Sequence, residues 1–348
     1  RVFPLEAQWV SAELVRDATR LACAEMSAGG ITTFADMYFY PDATIEAAGE
    51  ARMRIVAGLP ATNVKTPWAD GLDEHLEKSL AVFDQYRSAA NVNFQFAPDS
   101  TNLLVDADLT RIKTLADQLD LFVHTNFQET EAQARVSVEK FGATPIERLQ
   151  HAGLLNERLS GAHAVYLSED DLTAVAAAGA HVVHCPTSNA KLAAGSAPIS
   201  EYHSKNVVVA LGTDSALSNN ALDMLREMRS AAMIARLRTG DATALDARQC
   251  LSMATIGGAR ALGLSHEIGS LEIGKFADVV CVDLDEPNCW PVYDPVTQLV
   301  FAADRHQISD TWVAGDAIYS DNKHQHLDLD WVRERALEWF QRIQPPTK

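Results

Sequence analysis

The segment FVHTNFQETEAQ (122–133) places His124 and Asn126 two residues apart in an apolar stretch, with Glu129 three residues further on. Side chains alternate along a strand, so His124 and Asn126 share one face. A histidine followed by a glutamate at a strand end is a common way to hold a metal and set a proton carrier beside it. The residue on that face closer to the glutamate is nevertheless an asparagine, whose neutral amide is a poor zinc ligand.

A second segment, ALGTDSALSNN (210–220), ends an apolar run in Gly-Thr-Asp, so that Asp214 emerges at a strand's C-terminal edge ahead of the helical stretch LDMLREMRSAAMIARL. An isolated aspartate there reads as a loop or helix cap. Its functional reading gains weight because other strands end in similar chemistry. In GAHAVYLS (161–168), His163 projects from a run of Gly, Ala and Val. Alone it reads as a satisfied core histidine, but facing Glu129 and Asp214 it reads as part of a site. His184, in HVVHCPTSN, ends another strand and is expected in the pocket wall, with Ser188-Asn189 capping the next turn. Cys185 reads as a small buried residue, as does Cys281 in ADVVCVDL.

The elements that must position these groups alternate. Seven strands are expected at 31–39, 54–60, 92–99, 121–127, 161–167, 181–187 and 207–214, separated by amphipathic helical stretches. Ser168 before three acidic residues is a helix N-cap, while Gly29-Gly30 and Gly179 stop the helices before them. Alternation of this kind predicts an α/β fold with parallel strands joined by right-handed crossovers. Polar residues gather at the strands' C-terminal ends (Asp36, Asp99, Asn126, His163, His184 and Asp214), which is where a (β/α)8 TIM-type barrel carries its active site. The helix starts carry neither G-x-G-x-x-G nor a P-loop, which disfavours an open doubly wound sheet. A closed barrel needs eight strands. We therefore expect a barrel that lacks its first strand in this chain, occupying residues 1–265. Residues 266–325 read as short β segments with glycine turns, forming part of a small β-sandwich. A helix and tail over 326–348 close the chain. The arginines at 226, 229, 236 and 238 read as a solvated helix face.

The net charge of −18 over 348 residues disfavours nucleic acid or an anionic membrane surface as partner. Five scattered cysteines with no C-x-x-C pair favour reduced thiols and a cytoplasmic location.

The ordered series H-x-N-x-x-E-T, G-A-H-A-V, V-V-H-C-P-T-S-N-A-K-L-A-A-G, A-L-G-T-D-S-A-L-S-N-N and G-S-L-E-I-G-K-F-A-D-V-V resembles the amidohydrolase superfamily. Its nearest branch is that of the methylthioadenosine/S-adenosylhomocysteine deaminases and triazine-type hydrolases. The resemblance implies a metal-dependent barrel with a composite β-sandwich, acting on a nucleoside-like or heteroaromatic small molecule, and a homo-oligomer. It implies a divalent metal (zinc, or iron, nickel or manganese) held by an H-x-H pair, a further histidine and an aspartate, whose hydroxide attacks a ring carbon. By position Asp214 matches the aspartate ligand that also shuttles a proton. Glu129 matches the acid that protonates the ring, and His163 the histidine that orients the attacking water. Glu6 matches a glutamate that contacts substrate sugar hydroxyls, and Asp99 and Ser218 are expected to line the substrate pocket.

The departures are as specific as the matches. No H-x-H pair precedes residue 75, Asn126 occupies a metal-ligand position, and the family's P-H-A-P-Y-T reads Pro98-Asp99-Ser100-Thr101-Asn102-Leu103. With Asp214 and a weak Asn126 as its metal ligands, the chain as given is expected to bind metal poorly or not at all. The alternative reading is a catalytically impaired or non-catalytic barrel that binds a small molecule or a partner.

Overall fold

Strand β2 (Arg54–Pro60), RIVAGLP, is buried at every position, and its alternation explains why. Ile55, Ala57 and Leu59 join the large apolar core that includes residues of the surrounding helices, while Val56 joins a separate cluster with Ala259, Leu264 and Ile268. A strand covered on both faces has no solvent side and needs no polar alternation.

The computed structural model describes residues 3–343, with side chains from Leu5 onward. Strands β1 (Thr33–Asp36), β2, β3 (Val92–Ala97), β4 (Phe122–Phe127), β5 (Leu159–His163), β6 (His181–His184) and β7 (Val209–Leu211) follow one another in chain order. All neighbours pair in parallel, and the sheet curls into a half-barrel. Among the described residues no strand joins the outer edges of β1 and β7. Helices fill the connections, among them Leu72–Tyr86, Asp106–Leu119 and Glu169–Ala178. The last begins at the Ser168 cap, whose hydroxyl accepts from the Asp171 N–H. Close approach fixes two glycines. A Cβ at Gly58 would sit 2.2 Å from the Asp36 carbonyl oxygen, and one at Gly161 would enter the Phe127 ring.

All seven expected strands form, but β5 begins two residues earlier than the pattern implied and ends four residues earlier, at His163. The chain breaks from extended geometry there, with His163 at φ 72° and Ala164 at φ 48°. His163 therefore stands at the strand's end rather than within it. After residue 246 the helical chain is divided into Ala247–Ser252, a π turn at Met253–Gly257 and Gly258–Ala261. The backbone of Gly257 comes so close to the Val209 carbonyl of β7 that no side chain would fit.

A second, antiparallel sheet runs β11-β10-β9-β8, from β8 (Val279–Val282), β9 (Ile308–Val313), β10 (Asp316–Ser320) and β11 (Lys323–His324). It packs on helix Ala12–Ala28 through Cys23, Met26, Val313 and Ile318. Cys281 corrects the expectation of burial. It is exposed, because strand alternation turns it to the face opposite Val280 and Val282, which pack against the main core. The closing helix Leu329–Arg342 is tied to the same helix through Asp17, which accepts from Trp339 Nε1 at 2.9 Å and Arg335 Nη2 at 2.7 Å. Burial would raise the Asp17 carboxyl, but these hydrogen bonds and the guanidinium charge hold it below its ordinary value. The tail expected beyond this helix lies outside the described residues. Among the described residues no helix is long and apolar enough to cross a membrane.

The solvated-face reading of the arginines also needs correction. Arg229 donates to the Val300 and Ala303 carbonyls, and Arg236 donates to Ala244 and lies over the Phe301 ring. These two bind neighbouring backbone and hold the helices together.

Arg54 at the start of β2 joins the two sheets. Its buried guanidinium pairs with Asp278 and stacks on Phe276, while Asp278 Oδ1 accepts from the Ala314 N–H at 2.9 Å. Removing one partner strands a buried charge, so Asp278→Ala is expected to cost on the order of 3 kcal/mol in urea unfolding. Adding Arg54→Leu to that variant is expected to recover part of the loss. An unchanged midpoint in Asp278→Ala would contradict this role.

Candidate active site

In β4, Val123, Thr125 and Phe127 are buried, with Val123 and Phe127 in the main core, while His124 and Asn126 alternate to the other face. His124 Nδ1 lies 2.8 Å from the Ser160 hydroxyl of β5. Burial, with His163 nearby, pushes the His124 imidazole down to about 4, so it is neutral at neutral pH. Two residues after β4, Glu129 is anchored through its backbone N–H, which donates to Gln133 Oε1 at 2.8 Å. Gln133 also closes the capping box with Thr130 that starts helix Glu131–Phe141. Glu129 thus stands at the junction of a strand and a helix.

Asp99 follows β3. Its carboxyl is held above its ordinary value by the surrounding protein, then by the charges of Glu6 and Glu129. Three acids expected in the site therefore share one neighbourhood. Glu6 is held by the Tyr38 hydroxyl, which donates to it at 2.8 Å. Burial, followed by Glu6 itself, raises the Tyr38 phenol and keeps it a donor.

His163 ends β5, paired with Phe127 at the end of β4, and Asp214 follows β7 two strands further along the sheet. Asp214 follows β7 with φ 58°, and its carboxylate accepts from the Ser188 hydroxyl and from the Ser215 N–H, each at 2.6 Å. His163 Nδ1 lies 2.8 Å from Asn189 Oδ1. Burial dominates the strongly raised thiol of Cys185, with the charges of Asp214, Glu227 and Glu129 adding to it. The same shift makes Cys185 an inert thiol. Ser218 makes its contacts inside its own short helix, with Ser215 Oγ at 3.1 Å.

Three strand ends carry non-glycine residues in the left-handed region: Gln128 after β4, His163 and Ala164 at β5, and Asp214 after β7. Such conformations cost on the order of 1–3 kcal/mol each and cluster at functional sites. Sequence reading missed Thr187, Ser188, Asn189 and Glu227. The available signal was three consecutive hydrogen-bonding side chains after β6, which read as an ordinary cap.

The described residues hold no group of three or more His, Cys, Asp or Glu side chains placed to share a metal ion. Zinc centres use three or four protein ligands. Both Asp214 oxygens already accept hydrogen bonds, and the Asn126 amide adds a weak donor atom at most. These residues by themselves do not fit a zinc centre.

Residues 2–318 match the amidohydrolase family. This chain belongs to the amidohydrolase family. The 5-methylthioadenosine/S-adenosylhomocysteine deaminase of Teredinibacter turnerae is 41% identical over 342 residues, covering 98% of this chain and 77% of the relative. Among solved structures, a Xanthomonas campestris adenosine deaminase with bound zinc superposes with a TM-score of 0.96 at 39% identity, covering 99% of this amidohydrolase and 78% of that chain. The atrazine chlorohydrolase TrzN of Arthrobacter aurescens, complexed with zinc, has a TM-score of 0.91 at 27% identity, covering 97% and 80%. Metal dependence is a property of the family.

The buried imidazoles give the amidohydrolase an acid-sensitive stability. Burial, then His163 and His203, push His184 down to about 3. The unfolded chain therefore binds a proton that the folded chain refuses, and stability is lost as pH falls below the ordinary histidine range. Asp36 opposes this, since burial raises its carboxyl to about 6 and the folded state holds that proton longer. His184→Asn is expected to flatten the fall in unfolding free energy between about pH 6 and about pH 4 by roughly 1.4 kcal/mol per pH unit. Equal slopes in denaturant titrations of the two proteins would refute the assignment.

Proposed function

We propose that this chain forms the recognition and proton-transfer face of a deaminase-type hydrolase acting on a nucleoside-like or heteroaromatic small molecule. The feature that supports the reading is that Glu129, His163 and Asp214 stand at or just after the C-terminal ends of β4, β5 and β7 in one parallel sheet. Replacing a ring amino group by oxygen consumes water and releases ammonia. It requires a proton delivered to the ring nitrogen, a proton removed from water, and a proton given to the leaving amine. Glu129 is placed to serve the ring, His163 to orient the water, and Asp214 to pass the proton onward. Glu6, held by Tyr38, and Asp99 offer hydrogen-bond acceptors to hydroxyl or amino groups of the substrate. The names of the relatives support the nucleoside-like substrate class.

A second reading, binding without turnover, is favoured by Asn126 and Asp99, which depart from the histidines of the resembled pattern. One assay separates the two. Ammonia release is followed with adenosine, methylthioadenosine, S-adenosylhomocysteine, a pterin and a triazine, alongside calorimetric binding of each. The deaminase reading expects turnover that Glu129→Gln lowers at least about 100-fold with little change in affinity. Binding without ammonia release supports the second reading, and absence of both overturns the two together. Asn126→His supplies an imidazole ligand and is expected to raise zinc content per chain at least about 10-fold by elemental analysis. An unchanged content would contradict the place given to Asn126.

A further inference from the structure

Helix Pro186–Lys191 is one and a half turns long, yet three consecutive residues each bind a different part of the site. The Thr187 N–H donates to Glu227 Oε2 at 3.2 Å, and the Thr187 hydroxyl donates to the Ser230 hydroxyl. Ser188 donates to Asp214, and Asn189 Oδ1 meets His163 Nδ1. Ser188, Asn189 and Glu227 are each at most 1% exposed. The other Glu227 oxygen accepts from Asn219 Nδ2, which also donates to the Thr213 carbonyl at 2.7 Å. At the far end of the helix, Lys191 Nζ donates to the Leu217 carbonyl at 2.7 Å. The helix is therefore fastened at both ends and spans the rims of β5, β6 and β7.

A carbonyl oxygen can only accept, so a ring nitrogen bound to it must carry the hydrogen. We infer that Asn189 is a positioning residue that fixes His163 with its proton on Nδ1, leaving the Nε2 lone pair as an acceptor for an O–H or N–H of water or substrate. A histidine whose second nitrogen is held by a neighbour has its tautomer and ring plane set by that neighbour. A neutral imidazole can orient or deprotonate water only through its unprotonated nitrogen, so the identity of the Asn189 atom facing the ring decides what His163 can do. Among the described residues the buried Asn189 Nδ2 has no partner, which costs on the order of 1–3 kcal/mol. That cost makes the amide a poor choice for packing alone.

The inference rests on the reading that His163 faces the substrate, but its test needs no turnover. Long-range proton–nitrogen NMR of the full chain at about pH 8, with His163→Gln to assign the signal, reports which ring nitrogen is protonated. The native ring is expected to carry its proton on Nδ1. Asn189→Asp keeps an acceptor in place and is expected to preserve that pattern, whereas Asn189→Leu removes it and is expected to lose the Nδ1 proton. A native ring protonated on Nε2 would mean that the amide faces it through Nδ2, and overturns the inference. So would an unchanged tautomer in Asn189→Leu, which is what a packing role predicts. If Asn189→Leu does not fold, Asn189→Thr with the native and Asp proteins decides the matter on the same signal. An Nδ1 proton in a chain that neither binds nor converts any tested compound would sink the proposed function while leaving the tautomer assignment standing.

Discussion

Parallel strands deliver side chains to one rim but do nothing to hold those side chains relative to one another. Here the rim is tied by a short helix, through the Ser188–Asp214 and Asn189–His163 hydrogen bonds. Strands β5 and β7 are not neighbours, since β6 lies between them. Their terminal residues can be coordinated only by a group that crosses β6, and the segment leaving β6 is the one that does so. The left-handed backbone at His163 and Asp214 is tolerated because these bonds over-determine it.

The electrostatics of the site follow from the same layout. Carboxyl groups of Glu6, Asp99 and Glu129 gather on one side, and their mutual repulsion adds to burial in raising Asp99. Burial keeps the imidazoles of His124, on the strand that leads to Glu129, and of His184 neutral. Such a rim combines acceptors with uncharged nitrogen bases, which suits a heterocycle carrying amino and hydroxyl donors.

Much of the fold was legible because the strands are short, apolar and separated by capped helices. Ser168 and Gly179 mark the limits of Glu169–Ala178 by local chemistry alone. The early end of β5 was not legible. Nothing in GAHAVYLS announces a turn to positive φ, which depends on contacts with the end of β4, such as the Ala164 N–H donating to the Phe127 carbonyl. The apolar neighbours of Cys281 imply burial, but β8 is covered on one face, and alternation gives that face to Val280 and Val282. Glu129, His163 and Asp214 could be read from their places at strand ends. The partners of His163 and Asp214 could not, since Ser188 and Asn189 act at a separation of 26 residues that no local pattern encodes.

The central claim is that this rim receives a heteroaromatic ring between the carboxylates and the neutral histidines. A crystal structure of the chain with a bound purine nucleoside tests it most directly. The account predicts the ring at the C-terminal ends of β4, β5 and β7, with a ring nitrogen within hydrogen-bonding distance of Glu129 and a donor facing His163 Nε2. A nucleoside bound elsewhere, or seated at the rim with neither contact, would contradict it.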